Sequence, residues 1–209
     1  MTDEQIRQYL LESRLGMSPQ RREHFAETFQ FDLGIIDEMQ IGVDLDRHAW
    51  VFPMFGADGD RPIGFRLRSV HSGKKWALKG SRSGCFYAGP EGDEDLWVVE
   101  GPTDAAALAC LGMWSIGLPS INSGYDIVRE RLVRLGRESL PERIVWVVER
   151  DEAGLQYEQV AVKALLKVGV PVASIMLPPA FKDVRDWYEA GATKDVLTAI
   201  VNSQELHYG

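Results

Sequence analysis

Apolar and polar positions follow two rhythms along the chain, and the change between them falls near residue 93. Downstream of it, residues 96–99, 114–117, 144–148 and 170–176 are apolar runs with almost no polar interruption, the pattern of strands buried on both faces. Between and after them, 104–111, 125–135, 153–167, 183–190 and 193–204 carry helical spacing. Strands alternating with helices predict an α/β fold with a mostly parallel, Rossmann-like sheet flanked by helices. Upstream the pattern differs. "HAWVFPMFG", "PIGFRLRSV", "KKWALKG" and "GCFYAG" are short strand-like pieces parted by Asp-Gly and Ser-Gly turns. Two helices are expected before them, over 3–15 and 18–29, the second opened by Ser18 and Pro19. The polar stretch 89–95 divides a helical and β-rich part, 1–92, from the α/β part, 93–209.

Two of the buried-looking strands end on acids. "LWVVEGPTDAAALA" delivers Glu100 and Asp104, and "IVWVVERDEAG" delivers Glu149, Asp151 and Glu152. In open parallel sheets ligands sit beyond the carboxyl ends of the strands, so neighbouring strands would bring Glu100, Glu149 and Asp151 to one edge. Carboxylates gathered there repel unless a cation or a shared proton lies between them. Oxygen donors of this kind select Mg2+ or Mn2+, ions that also hold phosphate. Gly101 and Gly154 allow the backbone to turn directly after each acidic end. Asp104 and Glu152, each taken alone, are better explained as N-caps or first-turn residues that complement a helix dipole, and it is the two strand ends together that point to a metal.

Composition narrows the picture in two ways. The net charge of −8 divides into +7 over residues 61–82, which hold no acid, and −15 over the rest. The cations of that stretch are Arg61, Arg66, Arg68, Lys74, Lys75, Lys79 and Arg82. A run this long without acids is unlike a mixed solvated surface and suits phosphate contact. Cys85 and Cys110 are the only cysteines and form no Cys-x-x-Cys pair. That excludes a cysteine-rich zinc module and a disulfide framework in this chain, and it fits a reducing cytoplasm. No run reaches the length of a membrane span, and the start "MTDEQIRQYLLESRLG" is not a secretory signal. His24, His48, His71 and His207 show no metal-ligand spacing, and Trp97, Trp114 and Trp146 read as core.

The order Glu100-Gly101-Pro102-Thr103-Asp104, then Glu149-Arg150-Asp151-Glu152-Ala153-Gly154, then "FKDVRDWYEAG" from Phe181, resembles the topoisomerase–primase (Toprim) domain. The stretch from Trp50 to Tyr87 is similar to the small basic α+β subdomain that precedes this domain in bacterial and phage-type DNA primases. The resemblance covers about Trp50 to Gly191. It implies that Glu100 is the invariant glutamate, an acid–base or metal-organising residue. It implies too that Glu149 and Asp151 are the paired acids that bind divalent metal or act in acid–base chemistry, and that Asp104 and Asp183 are secondary ligands or orienters. Glu149 departs from the family, which has Asp there, and its side chain reaches one methylene further.

The resemblance further implies a metal-dependent nucleotidyl transferase making RNA primers on single-stranded DNA from nucleoside triphosphates, of phage or mobile-element type. Arg66, Arg68, Lys74, Lys75, Lys79 and Arg82 would then form a positive floor facing the acids. Lys79 and Arg82 are the leading phosphate contacts, because the Gly-Ser turn between them permits close approach. Phe65, Trp76 and Phe86 could stack on bases, but the alternation in "GFRLRSV" already explains such residues as core. Primases of this type read templates through a zinc module and work beside a helicase, so a separate template reader or a helicase is an expected partner. A Toprim nuclease and a catalytically silent nucleic-acid-binding module remain alternatives.

Overall fold

The computed structural model describes residues 1–209 apart from Asp93, Asp151 and the side chain of Ala153. Two helices open the chain. α1, Asp3–Leu15, begins with a reciprocal cap between Thr2 and Gln5. α2, Pro19–Phe29, is capped by the Ser18 hydroxyl and has proline in its first turn. A short α3, Gly34–Glu38, leads into a four-stranded antiparallel sheet. Its strands lie in chain order: β1 (Gly42–Asp44), β2 (Ala49–Phe55), β3 (Pro62–Ser69) and β4 (Lys75–Ala77).

The second sheet takes β5 (Phe86–Ala88), β6 (Asp95–Glu100), β7 (Ser115–Leu118), β8 (Arg143–Val148), β9 (Val172–Met176) and β10 (Leu206–His207). Their order is β10-β9-β8-β6-β7-β5. The four inner strands are parallel, and β5 and β10 close the edges antiparallel. Five helices accompany them: α4 (Pro102–Cys110), α5 (Tyr125–Leu135), α6 (Glu152–Leu166), α7 (Val184–Glu189) and α8 (Lys194–Asn202). The strand and helix rhythm of the sequence matches these elements closely. It did not reveal α3, β1 or β10, because three- to five-residue elements carry too few positions to show a period.

Alternation along the strands sorts the core into layers. Trp97, Val99, Val145 and Ile175 face α4 and α7, whereas Leu96, Val98, Ile144 and Trp146 pack with Val128 and Leu132 of α5 and Leu165 of α6. In the first sheet Ala49, Val51, Phe65 and Leu67 lie under Ile6 of α1. The opposite face, with Trp50 and Phe52, joins the same core as Trp97 and Trp187. One apolar core therefore extends across the polar segment 89–95. β5, upstream of that segment, is hydrogen-bonded to β7. No helix among the described residues is long and apolar enough to cross a membrane.

Candidate active site

The chain leaves β6 through α4 to β7 on one side, then returns to β8 on the other side of β6. The gap between β6 and β8 is thus the place where the strand order reverses, the usual site of ligand crevices in such sheets. Register places Val98 of β6 opposite Trp146 of β8, so Glu100 and Glu149 emerge together at this edge. A small cavity there is lined by Glu100, Asp104, Glu149 and Asp183, with Val99 and Val147 as its apolar floor. Asp151 lies outside the described residues.

Two glycines shape this edge. Gly101 adopts φ of 86°, a conformation that favours glycine, and lets the chain turn from Glu100 into α4. Gly154 acts differently. A Cβ there would stand 2.1 Å from the Glu149 carbonyl oxygen, so only glycine lets α6 start against the end of β8.

Asp104 sits in the first turn of α4 and is 5% exposed. Its Oδ1 accepts a hydrogen bond from the Arg185 main-chain N–H at 2.9 Å. Burial, with the nearby charges of Asp183 and Glu149, raises its pKa to about 8, against the opposing pull of the Arg185 N–H and Lys75. Asp183 caps α7, accepting from the Asp186 N–H at 2.9 Å. The charges of Asp183 and Glu149 thus add to burial in keeping Asp104 protonated.

The face of the first sheet that carries Arg66, Arg68 and Lys75 turns toward this edge. Arg66 and Arg68 alternate with the buried Phe65 and Leu67, and Lys75 pairs with Arg68 across β3 and β4. These three cations line a second cavity together with Glu100, Thr103 and Pro119. The Arg68 guanidinium lies 5.0 Å above the Phe29 ring. Burial and the charge of Arg185 pull its pKa below the ordinary arginine value, while Asp183, Asp104 and Glu189 hold it up. Arg68 and Lys75 both place positive charge within reach of the acids.

The other basic candidates lie elsewhere. Lys79 lines a groove of about 760 Å³ against α1, where the Met1 amino group donates to the Gly80 carbonyl at 2.8 Å. The exposed Arg82 side chain approaches Asp3 at 4.0 Å. Lys74 is exposed in the turn between β3 and β4. The Gly-Ser turn between Lys79 and Arg82 does permit a close backbone approach, but the approach is to the N-terminus of this chain. Phe65 and Phe86 are buried, as alternation implied, and Trp76 is partly buried beside Ile6 and Phe65.

Arg150 and Arg185 stand at this edge without having been singled out as site residues. Arg150 donates from Nε to the Leu177 carbonyl at 2.7 Å and lines a cleft of about 320 Å³ with Glu149, Phe181 and Lys182. Arg185 holds Asp104 through its main chain and Glu189 through its guanidinium at 3.0 Å. A signal for Arg185 exists in the sequence: it lies two residues after the capping Asp183, where a helix has an unclaimed N–H. His48 and His71, distant in sequence, also come together, with ring centroids 5.9 Å apart.

Among the described residues, no three His, Cys, Asp or Glu side chains are gathered closely enough to hold an ion by themselves. The donor set is nonetheless all oxygen, with Glu100, Glu149 and Asp183 lining one cavity beside the buried Asp104 carboxyl. That donor set fits a hard divalent cation that keeps water and substrate phosphate among its ligands.

The fold has known counterparts. The chain superposes on the primase of Aquifex aeolicus, its zinc-binding and RNA polymerase domains, with a TM-score of 0.71 at 17% identity. That match covers 99% of this chain and 63% of the other. A DNA primase domain from Pseudomonas aeruginosa gives 0.70 at 17% identity, over 96% of this chain and 78% of its own. The primase fragment of the bacteriophage T7 primase-helicase gives 0.55 at 16% identity, over 83% and 72%. No protein-family profile and no curated protein matches the sequence. The chain has the fold of primase catalytic domains: α/β, with a mostly parallel sheet between flanking helices.

Proposed function

We propose that this chain is a primase-type nucleotidyl transferase that joins ribonucleotides on single-stranded DNA with Mg2+ or Mn2+. The observation that carries the reading is the meeting of two surfaces. Glu100, Asp104, Glu149 and Asp183 line one cavity, and Arg66, Arg68 and Lys75 line the next, with Glu100 in both. The likeness of fold to primase domains supports it, as does the Mycobacterium tuberculosis primase domain, whose fold is similar and which was solved with DNA.

In the reaction, the 3′ hydroxyl of one nucleotide gives up its proton, with Glu100 placed as acid–base residue, and its oxygen attacks the α-phosphorus of the next while pyrophosphate leaves. Glu100, Glu149 and Asp151 would hold the cation, with Asp104 and Asp183 behind them. When bound, the ion neutralises the triphosphate and polarises the reacting oxygens. Arg66, Arg68 and Lys75 bind phosphate from the opposite side and orient the nucleotide over the carboxylates. Arg185, through its N–H to Asp104, fixes the rotamer of the buried carboxyl. A cytoplasmic protein of phage or mobile-element type is the natural setting, with a helicase or a separate zinc-binding template reader as partner.

The test is synthesis. With single-stranded DNA, labelled nucleoside triphosphates and Mg2+ or Mn2+, wild type makes oligoribonucleotides and Glu100→Gln does not. Strand cleavage in place of synthesis would assign the same acids to a nuclease. DNA binding with neither activity in either metal would overturn the enzyme reading.

A further inference from the structure

His48 and His71 each sit at a turn of the basic sheet. His48 closes the turn between β1 and β2 with φ of 48°, and His71 lies in the turn between β3 and β4. Antiparallel pairing brings the two turns to the same end: Ala49 stands opposite Ser69, and the Val70 N–H donates to the His48 carbonyl at 2.9 Å. Both rings are exposed, their centroids 5.9 Å apart and their planes inclined at 45°. The approach comes from sheet register, and the 23-residue spacing in the sequence could not announce it.

That separation has a chemical meaning. With metal–nitrogen bonds of about 2.0–2.1 Å, and a ring centre roughly 1.2 Å behind each nitrogen, two imidazoles sharing one tetrahedral ion hold centroids roughly 5.2 Å apart, which the two exposed rings reach by a small side-chain rotation. The backbone at His48 adds to the argument. A left-handed residue at a turn is conformationally restricted, and it is tied here to β3 by the Val70 hydrogen bond. The imidazole is thus presented from a fixed base.

We propose that His48 and His71 form a two-imidazole site for a divalent transition ion of the zinc class, completed by water. Imidazole donors distinguish this site from the acidic cavity: nitrogen favours Zn2+, Ni2+ and Cu2+, whereas the carboxylates favour Mg2+ and Mn2+. The ion joins the turn between β1 and β2 to the turn between β3 and β4. Arg68 and Lys75, cross-strand partners, flank the second of these turns. Occupancy therefore braces the hairpin that presents both cations to Glu100.

The experiment is a titration of zinc chloride into the intact chain in excess Mg2+, which fills the acidic cavity, followed by the imidazole carbon-bound proton resonances. The expected result is saturation at one equivalent, with shifts at His48 and His71 and none at His24 or His207. His48→Asn, which tolerates the left-handed backbone, and His71→Ala each weaken binding about tenfold or more. Glu100→Gln leaves binding unchanged. Thermal melting of each variant without zinc checks that it folds. Absence of shifts at both rings up to roughly 1 mM zinc would overturn the site. So would zinc binding that survives His71→Ala and is lost in Glu100→Gln.

Discussion

The main-chain N–H of Arg185 donates to Oδ1 of Asp104 at 2.9 Å, joining the start of α7 to the first turn of α4 across 81 residues of sequence. The bond anchors a carboxyl that is buried among other acids, and it explains why α7 stays close to the strand edge. Asp104 is therefore both a structural and a chemical element of the site.

Its ionisation gives a pH prediction. In the unfolded chain Asp104 titrates near 4, and in the fold it is raised to about 8 by burial and by the charges of Asp183 and Glu149. Between about pH 4 and pH 8 folding takes up a proton, so this contribution to stability is full below about pH 4 and is lost as pH rises through about 8. Without divalent metal, wild type should melt at a lower temperature at pH 9 than at pH 6. Asp104→Asn, whose amide still accepts from Arg185, should lose less. The difference is on the order of 2–4 kcal/mol, measured by denaturant unfolding at the two pH values.

Arg68 lines the cavity it shares with Glu100, and its replacement should act on binding more than on folding. Arg68→Gln is expected to weaken affinity for single-stranded DNA or triphosphate by about 1–2 kcal/mol, with the salt dependence of binding reduced by about one unit of slope. Lys79→Gln, placed on the α1 side, should change neither by as much. Equal effects of the two substitutions would place the phosphate path along the α1 groove instead.

Gly154→Ala puts a methyl group against the Glu149 carbonyl, where the Cβ would stand at 2.1 Å. Something at the join of β8 and α6 must move. The expected cost is about 1–3 kcal/mol of stability, together with weakened metal-dependent activity because Glu149 is displaced. Chemical denaturation and activity measured on the same samples check both parts. Gly34→Ala, where a Cβ meets nothing within 4 Å and the backbone is helical, serves as the comparison for a substituted glycine with room around it.

Much of this arrangement was readable in the residues themselves. Apolar runs ending at Glu100 and at Glu149 announced two strands with acidic ends, and the strand order places those ends side by side. The alternation of Arg66 and Arg68 with Phe65 and Leu67 announced the charged face. Other features depend on contacts between segments far apart. Lys79 and Arg82 sit among many cations in sequence, yet the chain turns after β4 and carries them toward α1. β5 reads as part of the basic meander but pairs with β7, because edge-strand partners are chosen by tertiary packing. His48 and His71 meet only through sheet register.

The central proposal is that Glu100, Glu149 and Asp151, with Asp104 and Asp183 behind them, hold one divalent cation. Its most direct test is Mn2+ binding followed by electron paramagnetic resonance, for wild type, Glu100→Gln, Glu149→Gln and His71→Ala, with and without nucleoside triphosphate. The account predicts binding in wild type that tightens with triphosphate, about tenfold or more weaker in each carboxylate variant and unchanged in His71→Ala. Mn2+ affinity that is the same in wild type and both carboxylate variants would contradict it.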